Sequence, residues 1–118
     1  MGFAFEELHV YQKALDFAVS VINTIDELDT PRKHFRLIEQ LEAASSSIAL
    51  NLAEGKGRFS KKEFKHFCYI SRGSLYETVT MLKIFYKMNW LDEDSYGRLY
   101  SEAEEINKMI SGLIKSIK

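Results

Sequence analysis

Apolar residues in this chain recur at steps of three and four in four separate runs, and nothing alternates with period two for long. Such spacing lines one face of a helix, so the sequence predicts helices and no sheet. The first run is Leu8, Tyr11, Leu15, Ala18, Ile22, Ile25 and Leu28, a helix over roughly residues 7–28. Ile38, Leu41, Ala44, Ile48 and Leu52 form the second. Phe64, Phe67, Ser71, Ser74, Leu75, Thr78, Leu82 and Phe85 form the third. Leu99, Ala103, Ile106, Ile110, Leu113 and Ile117 form the fourth.

The breaks carry helix-end chemistry. In "DTPRK", Thr30 can cap the second helix, because Pro31 at the first helical position loses no needed N–H. At residues 55–59, Gly55 or Gly57 can take the left-handed conformation that ends a helix. Ser60 and Glu63 then form an S-x-x-E capping box for the third helix. That helix stops near "MNWLDEDS", where Asp92 or Asp94 can cap the fourth. Four helices of ~22–28 residues, each ~35–40 Å long, with short loops between them, give an all-α, antiparallel up-down-up-down four-helix bundle. A length of 118 residues makes it a single domain over 1–118.

Composition narrows the class further. Apolar residues make up 46%, enough for a core, and one proline with six glycines argues against a disordered chain. No apolar run reaches the ~18 residues of a membrane span, so no membrane partner is expected. "MGFAFEELHV" has no basic stretch followed by an apolar one, so no signal peptide is expected. The single cysteine, Cys68, excludes an internal disulfide framework and fits a reducing cytoplasm. Six Tyr, eight Phe and one Trp leave apolar surface over, which favours self-association.

Charge is uneven although the net is −1. Between Gly55 and Arg72, Lys56, Arg58, Lys61, Lys62, Lys65 and Arg72 face one anion, Glu63. Between Asp92 and Glu105 six anions face one cation, Arg98. Such polarity can guide a partner or a second copy of the chain, or simply solvate two helix faces.

The stretch "NLAEGKGRFSKKEF" (residues 51–64) tests whether the basic run grips a nucleotide. A phosphate loop needs G-x-x-x-x-G-K-[ST] after a strand, whereas "GKGRFS" follows a helix, so a helix–helix corner is the better reading. The corner alone leaves its cations unexplained. Lys56, Arg58, Lys61 and Lys62 crowd the positive end of the third helix, where cations are locally unfavourable. A phosphate of RNA or DNA, or an acidic partner, would offset that cost.

Further on, "SRGSLYE" puts Gly73 inside a helix, at a cost of ~1 kcal/mol relative to Ala. A close backbone approach would justify it. With the hairpin turning near residue 57, Gly73 and Ser74 fall beside Leu41 to Ala44, where the small run "AASSS" begins, and tight packing is predicted there. Arg72 then lies near Glu42 or Ala43, and Glu77 near Arg36 or Ile38.

Catalytic and metal motifs are not in evidence. His9, His34 and His66 form no H-x-x-x-H or E-x-x-H pair. Ser45, Ser46 and Ser47 have no recognisable base and read as packing residues, and Cys68 reads as a small buried hydrophobe. No cofactor, no metal and no enzymatic activity are expected.

"VYQKAL" (10–15), "NLAEGKGR" (51–58), "EFKHFCYISRGSLYET" (63–78) and "NWL" (89–91) resemble the four-helix bundle family of 23S rRNA intervening-sequence proteins, over about residues 8–117. Asn51, Glu54, Gly55, Gly57 and Arg58 match that family's corner signature, and Arg72, Gly73, Ser74 and Glu77 its helix-three signature. The family is related to the accessory protein of diversity-generating retroelements, which forms a barrel-shaped homopentamer and binds nucleic acid and a reverse transcriptase. The resemblance therefore implies a bacterial, cytoplasmic homo-oligomer, a pentamer, that binds RNA or DNA. Two departures qualify it. "QLEAAS" (40–45) stands where the family usually has a "QLRRAA"-like basic pair, and Ala49 replaces a usual proline. The lost cations would weaken nucleic-acid binding.

Two functions follow as expectations. In one, an oligomeric, non-enzymatic bundle binds structured RNA or DNA through Lys56, Arg58, Lys61, Lys62 and Lys65. In the other, the bundle is a protein-interaction or scaffold module that touches no nucleic acid directly.

Overall fold

The computed structural model describes residues 2–28 and 34–118. A short 3-10 turn, Ala4–Glu7, leads into α1 (His9–Asp26), α2 (Phe35–Lys56), α3 (Lys61–Lys87) and α4 (Glu93–Ser116). Each helix packs on its two neighbours in a ring, α1 against α2 and α4, and α3 against α2 and α4. The result is the up-down-up-down bundle, 45 × 24 × 22 Å, with no strand among the described residues. The proposed cap at Thr30 and Pro31 lies outside the described residues.

The core follows the predicted stripes on three helices. Leu41, Ile48 and Leu52 from α2, Cys68, Leu75, Leu82 and Phe85 from α3, and Leu99, Ile106 and Ile110 from α4 are fully or almost fully buried. On α1 the expected stripe is only partly buried, at Ala18 and Ile25. Val10, Ala14, Phe17, Val21 and Ile25 form the core face, while Leu15 is 45% exposed and Val19 52%. At 100° per residue the buried face is turned by roughly a fifth of the helix circumference from the predicted one. The helix is apolar on both stripes, and its contacts with α2 and α4 decide which one is covered.

The helix ends are made as the residue types allow. Ser60 Oγ accepts from the Glu63 N–H at 3.1 Å, but the reciprocal half of the capping box is not formed among the described residues. Asp92 caps α4, its carboxylate accepting from the Ser95 N–H at 2.7 Å, so Asp92 rather than Asp94 is the cap. That bond, with one from the Ser95 side chain, holds the Asp92 carboxyl below its usual range. α3 ends on Asn89 at φ 63°, with Trp90 N–H donating to Phe85 O and Asn89 N–H to Tyr86 O, each at 3.0 Å. This is the helix-ending arrangement usually built on glycine, here built on the residue that tolerates φ > 0 next best.

The glycine expectations are corrected. Neither Gly55 nor Gly57 has positive φ; Gly57 ends α2 in right-handed conformation at φ −79°. Because α2 runs on through Gly55 to Lys56, the hairpin turns nearer Phe59 than Gly57, and the α2–α3 register moves with it. Ser74 Oγ meets Ser47 Oγ at 3.0 Å, and Ser71 Oγ donates to Ile48 O at 2.8 Å, so Ser74 sits at the end of "AASSS" rather than beside Leu41 to Ala44. Gly73 faces outward with nothing near it, and the tight packing predicted there is instead made by Gly55.

Candidate nucleic-acid interface

The α2–α3 corner is drawn tight at Gly55. A Cβ built there would lie 2.6 Å from Phe67 Cβ and 3.1 Å from Phe64 Cδ1, so only glycine lets α3 begin this close to α2. The apolar rings fill the inside of the corner and the cations lie over them. Lys56 Nζ sits 5.5 Å from the Phe64 ring centre and the Arg58 guanidinium 4.7 Å from that of Phe67, both within cation–π range. Glu54 pairs with Arg58 one turn away along the chain. Lys61 and Lys62 are exposed on the first turn of α3, and Lys65 is half-buried one turn further.

Two features of this end were not picked out from the sequence. Phe59 projects fully into solvent between Arg58 and Ser60. Lys118 meets Lys56, Lys61 and Phe64 around an open depression of about 450 Å3, because α4 returns to the same end of the bundle. A second depression, about 630 Å3, lies on the other side of Lys56, between Phe3, Leu50 and Arg58. Phe59 was legible as an aromatic between cations. Lys118, more than fifty residues away in the chain, needed the topology.

The residues that carry the resemblance divide by role. Asn51 donates to Ser47 O and Ser47 Oγ, both at 2.8 Å, and Ser47 meets Ser74, so Asn51 and Ser74 belong to one polar seam between α2 and α3. Arg72 does not approach Glu42 or Ala43. It reaches across to α4, donating to Ser111 Oγ at 3.1 Å, with its guanidinium 5.0 Å from the Tyr69 ring centre. The shifted register removes Glu77 from its predicted neighbours, and it is exposed, with no ion pair to another described residue. Cys68 is fully buried, and burial pushes its thiol up to about 11, the behaviour of a packing residue.

Comparison with known proteins adds the lineage. A family model described as 23S rRNA-intervening sequence protein matches residues 6–112. One solved structure that superposes well is a protein of unknown function from the S23 ribosomal protein family of Bacteroides thetaiotaomicron VPI-5482. It has a TM-score of 0.84 and 26% identity, covering 91% of this chain and 96% of that one. Comparison with curated proteins finds no match. A match over this much of the chain makes the protein a member of the 23S rRNA-intervening sequence protein family.

Proposed function

We propose that this protein is a non-enzymatic, self-associating bundle that binds structured RNA or DNA through the α2–α3 corner. The observation that carries this reading is the clustering of Lys56, Arg58, Lys61, Lys62 and Lys65 on one rim beside a fully exposed Phe59. Cations neutralise phosphates and an exposed ring offers a stacking face, the two elements such binding requires. Arg58→Glu with Lys61→Glu is expected to abolish binding of a labelled hairpin RNA while leaving helicity unchanged. Unaltered affinity in that variant would remove the corner from the account.

A second reading, a protein-interaction module, draws on a different surface. Leu15, Val19 and Leu50, the last 66% exposed, leave apolar side chains uncovered on the α1–α2 side. Size-exclusion chromatography with light scattering, read at 260 and 280 nm, separates the two. A ring-sized species with excess 260 nm absorbance supports the first reading, whereas an oligomer free of nucleic acid supports the second. A monomer would overturn the self-association common to both the assembled surface and the pentamer.

A further inference from the structure

Three phenylalanines meet at the α2–α3 corner, and only one of them is bare. Phe64 and Phe67 are half-buried, with Lys56 Nζ 5.5 Å from the centre of the first ring and the Arg58 guanidinium 4.7 Å from that of the second. Phe59 is fully exposed, so both faces of its ring are open to water. Leaving a phenyl ring in water is unfavourable, and a partner that covers it recovers that cost.

The backbone on either side of Phe59 is anchored. Gly57 N–H donates to Ala53 O at 3.2 Å and Arg58 N–H to Gly55 O at 3.1 Å, which finishes α2. Glu63 N–H donates to Ser60 Oγ at 3.1 Å, which starts α3. Phe59 lies between these two hydrogen-bonded ends, so its ring projects from a fixed base. Arg58 precedes it directly and Lys61 follows two residues on. Successive Cα atoms are 3.8 Å apart, so the Cα atoms of both cations lie within about 8 Å of that of Phe59.

An occupant matched to this tip has a flat apolar face with negative charge on either side. An apolar protein surface would strip water from the cations without pairing them. An acidic one would pair the cations and leave the ring unmatched. A nucleobase between its own phosphates meets both needs. In a continuous duplex, however, each base already stacks on its neighbours, and opening a step costs at least as much as one ring returns.

We infer that Phe59 stacks on an unpaired nucleotide beside a double-stranded stem, while the corner cations hold the phosphates around it. This rests on the reading that the corner binds nucleic acid, and it names what the corner selects: a stem interrupted or ended by an unpaired base, in preference to continuous duplex. RNA and DNA share that chemistry.

The test uses the full chain and three labelled stems of one sequence, each closed at both ends by a non-nucleoside linker so that no other base is free. One is fully paired, one carries a bulge of a single uracil nucleotide, and one has an abasic residue in place of that nucleotide. The abasic stem keeps the phosphates of the bulge and loses only the base. Each is made in RNA and in DNA. The uracil bulge is expected to bind about fivefold or more tighter than the abasic one, the smaller end of base–aromatic stacking. Phe59→Ala should bring the two to equal affinity and leave the abasic stem bound as before, and Phe59→Trp should keep the preference. The ring is fully exposed, so neither variant should move the thermal unfolding midpoint.

Loss of the base preference in Phe59→Ala, with the abasic stem still bound, supports the site in whichever polymer shows it. Equal affinity of the unaltered chain for uracil and abasic bulges, or a preference that survives Phe59→Ala, overturns the site and leaves the corner reading standing. Binding of none of the stems overturns both. Light scattering of Phe59→Ala tests the competing occupant, a second copy of the chain. An assembly that comes apart in this variant gives the ring to a contact between copies and overturns the site.

Discussion

A methyl group added at Gly55 and one added at Gly73 meet opposite surroundings. At Gly55 it arrives 2.6 Å from Phe67 Cβ, an atom fixed to its own backbone, and 3.3 Å from Phe64 O. At Gly73 it meets nothing within 4 Å. Alanine gains ~1 kcal/mol over glycine in a helix interior, as at Gly73, and less at Gly55 in the last turn of α2. At Gly55 the overpacking cost of ~1–3 kcal/mol outweighs that gain, since α2 and α3 must separate to accept the methyl. Gly55→Ala is therefore expected to lower the urea midpoint, and Gly73→Ala to raise stability by about 0.5–1 kcal/mol. Equal shifts in both variants would show that the corner is looser than its contacts imply. From the sequence Gly73 read as a helix glycine and Gly55 as a helix-ending one, but which of them touches a neighbour depended on the face each turns to the other helix.

Elements are where the sequence was most legible, because helix ends use residues with definite chemistry. The spacing of α3 and α4 gave their buried faces, Ser60 marked the start of α3, and the start of α4 was narrowed to Asp92 or Asp94, of which Asp92 is the cap. α1 was legible as a helix and not as a face. Its two apolar stripes, one through Leu15 and one through Phe17, differ only in which side α2 and α4 cover. The end of α3 at Asn89 could be placed near the right residue, but its left-handed turn is a property of backbone closure rather than of any spacing. Asn89→Ala is expected to cost ~1 kcal/mol, because alanine pays for φ > 0 without asparagine's tolerance of it, and Asn89→Gly to cost nothing. Thermal unfolding of the pair measures the difference. The Asp92 cap has a pH signature. Its folded carboxyl is held below its ordinary value, so its contribution is fully present above that ordinary value and is lost as pH falls through the lower folded one. Amide exchange in the first turn of α4 should accelerate over that acid window, and in Asp92→Asn the acceleration should be absent.

Among the described residues two charge clusters stand apart along the long axis. The cationic corner and Lys118 share one end of a 45 Å bundle, and Asp92, Glu93 and Asp94 open α4 at the other. Across physiological salt the screening length is about 8 Å, so the acidic end does not cancel the basic one at the distance of a bound phosphate. A net charge of −1 therefore sets solubility and does not set what the corner binds. The charge runs were legible from the sequence, whereas the meeting of the corner with the C-terminal lysine was not, because it follows from an even number of antiparallel helices. If the five corner cations each meet a phosphate, the logarithm of affinity for duplex should fall with the logarithm of salt at a slope of about −4.5. Arg58→Glu with Lys61→Glu would remove two such contacts and set two repulsive charges in their place, so any residual binding should show a slope shallower by about 2. Arg58 is the weaker contributor, since Glu54 already pairs with it. Lys61→Gln alone should then reduce the slope by more than Arg58→Gln alone. Should the two single variants behave alike, Glu54 would have to release Arg58 when nucleic acid arrives. Glu54→Gln would in that case strengthen binding, by freeing the guanidinium in advance.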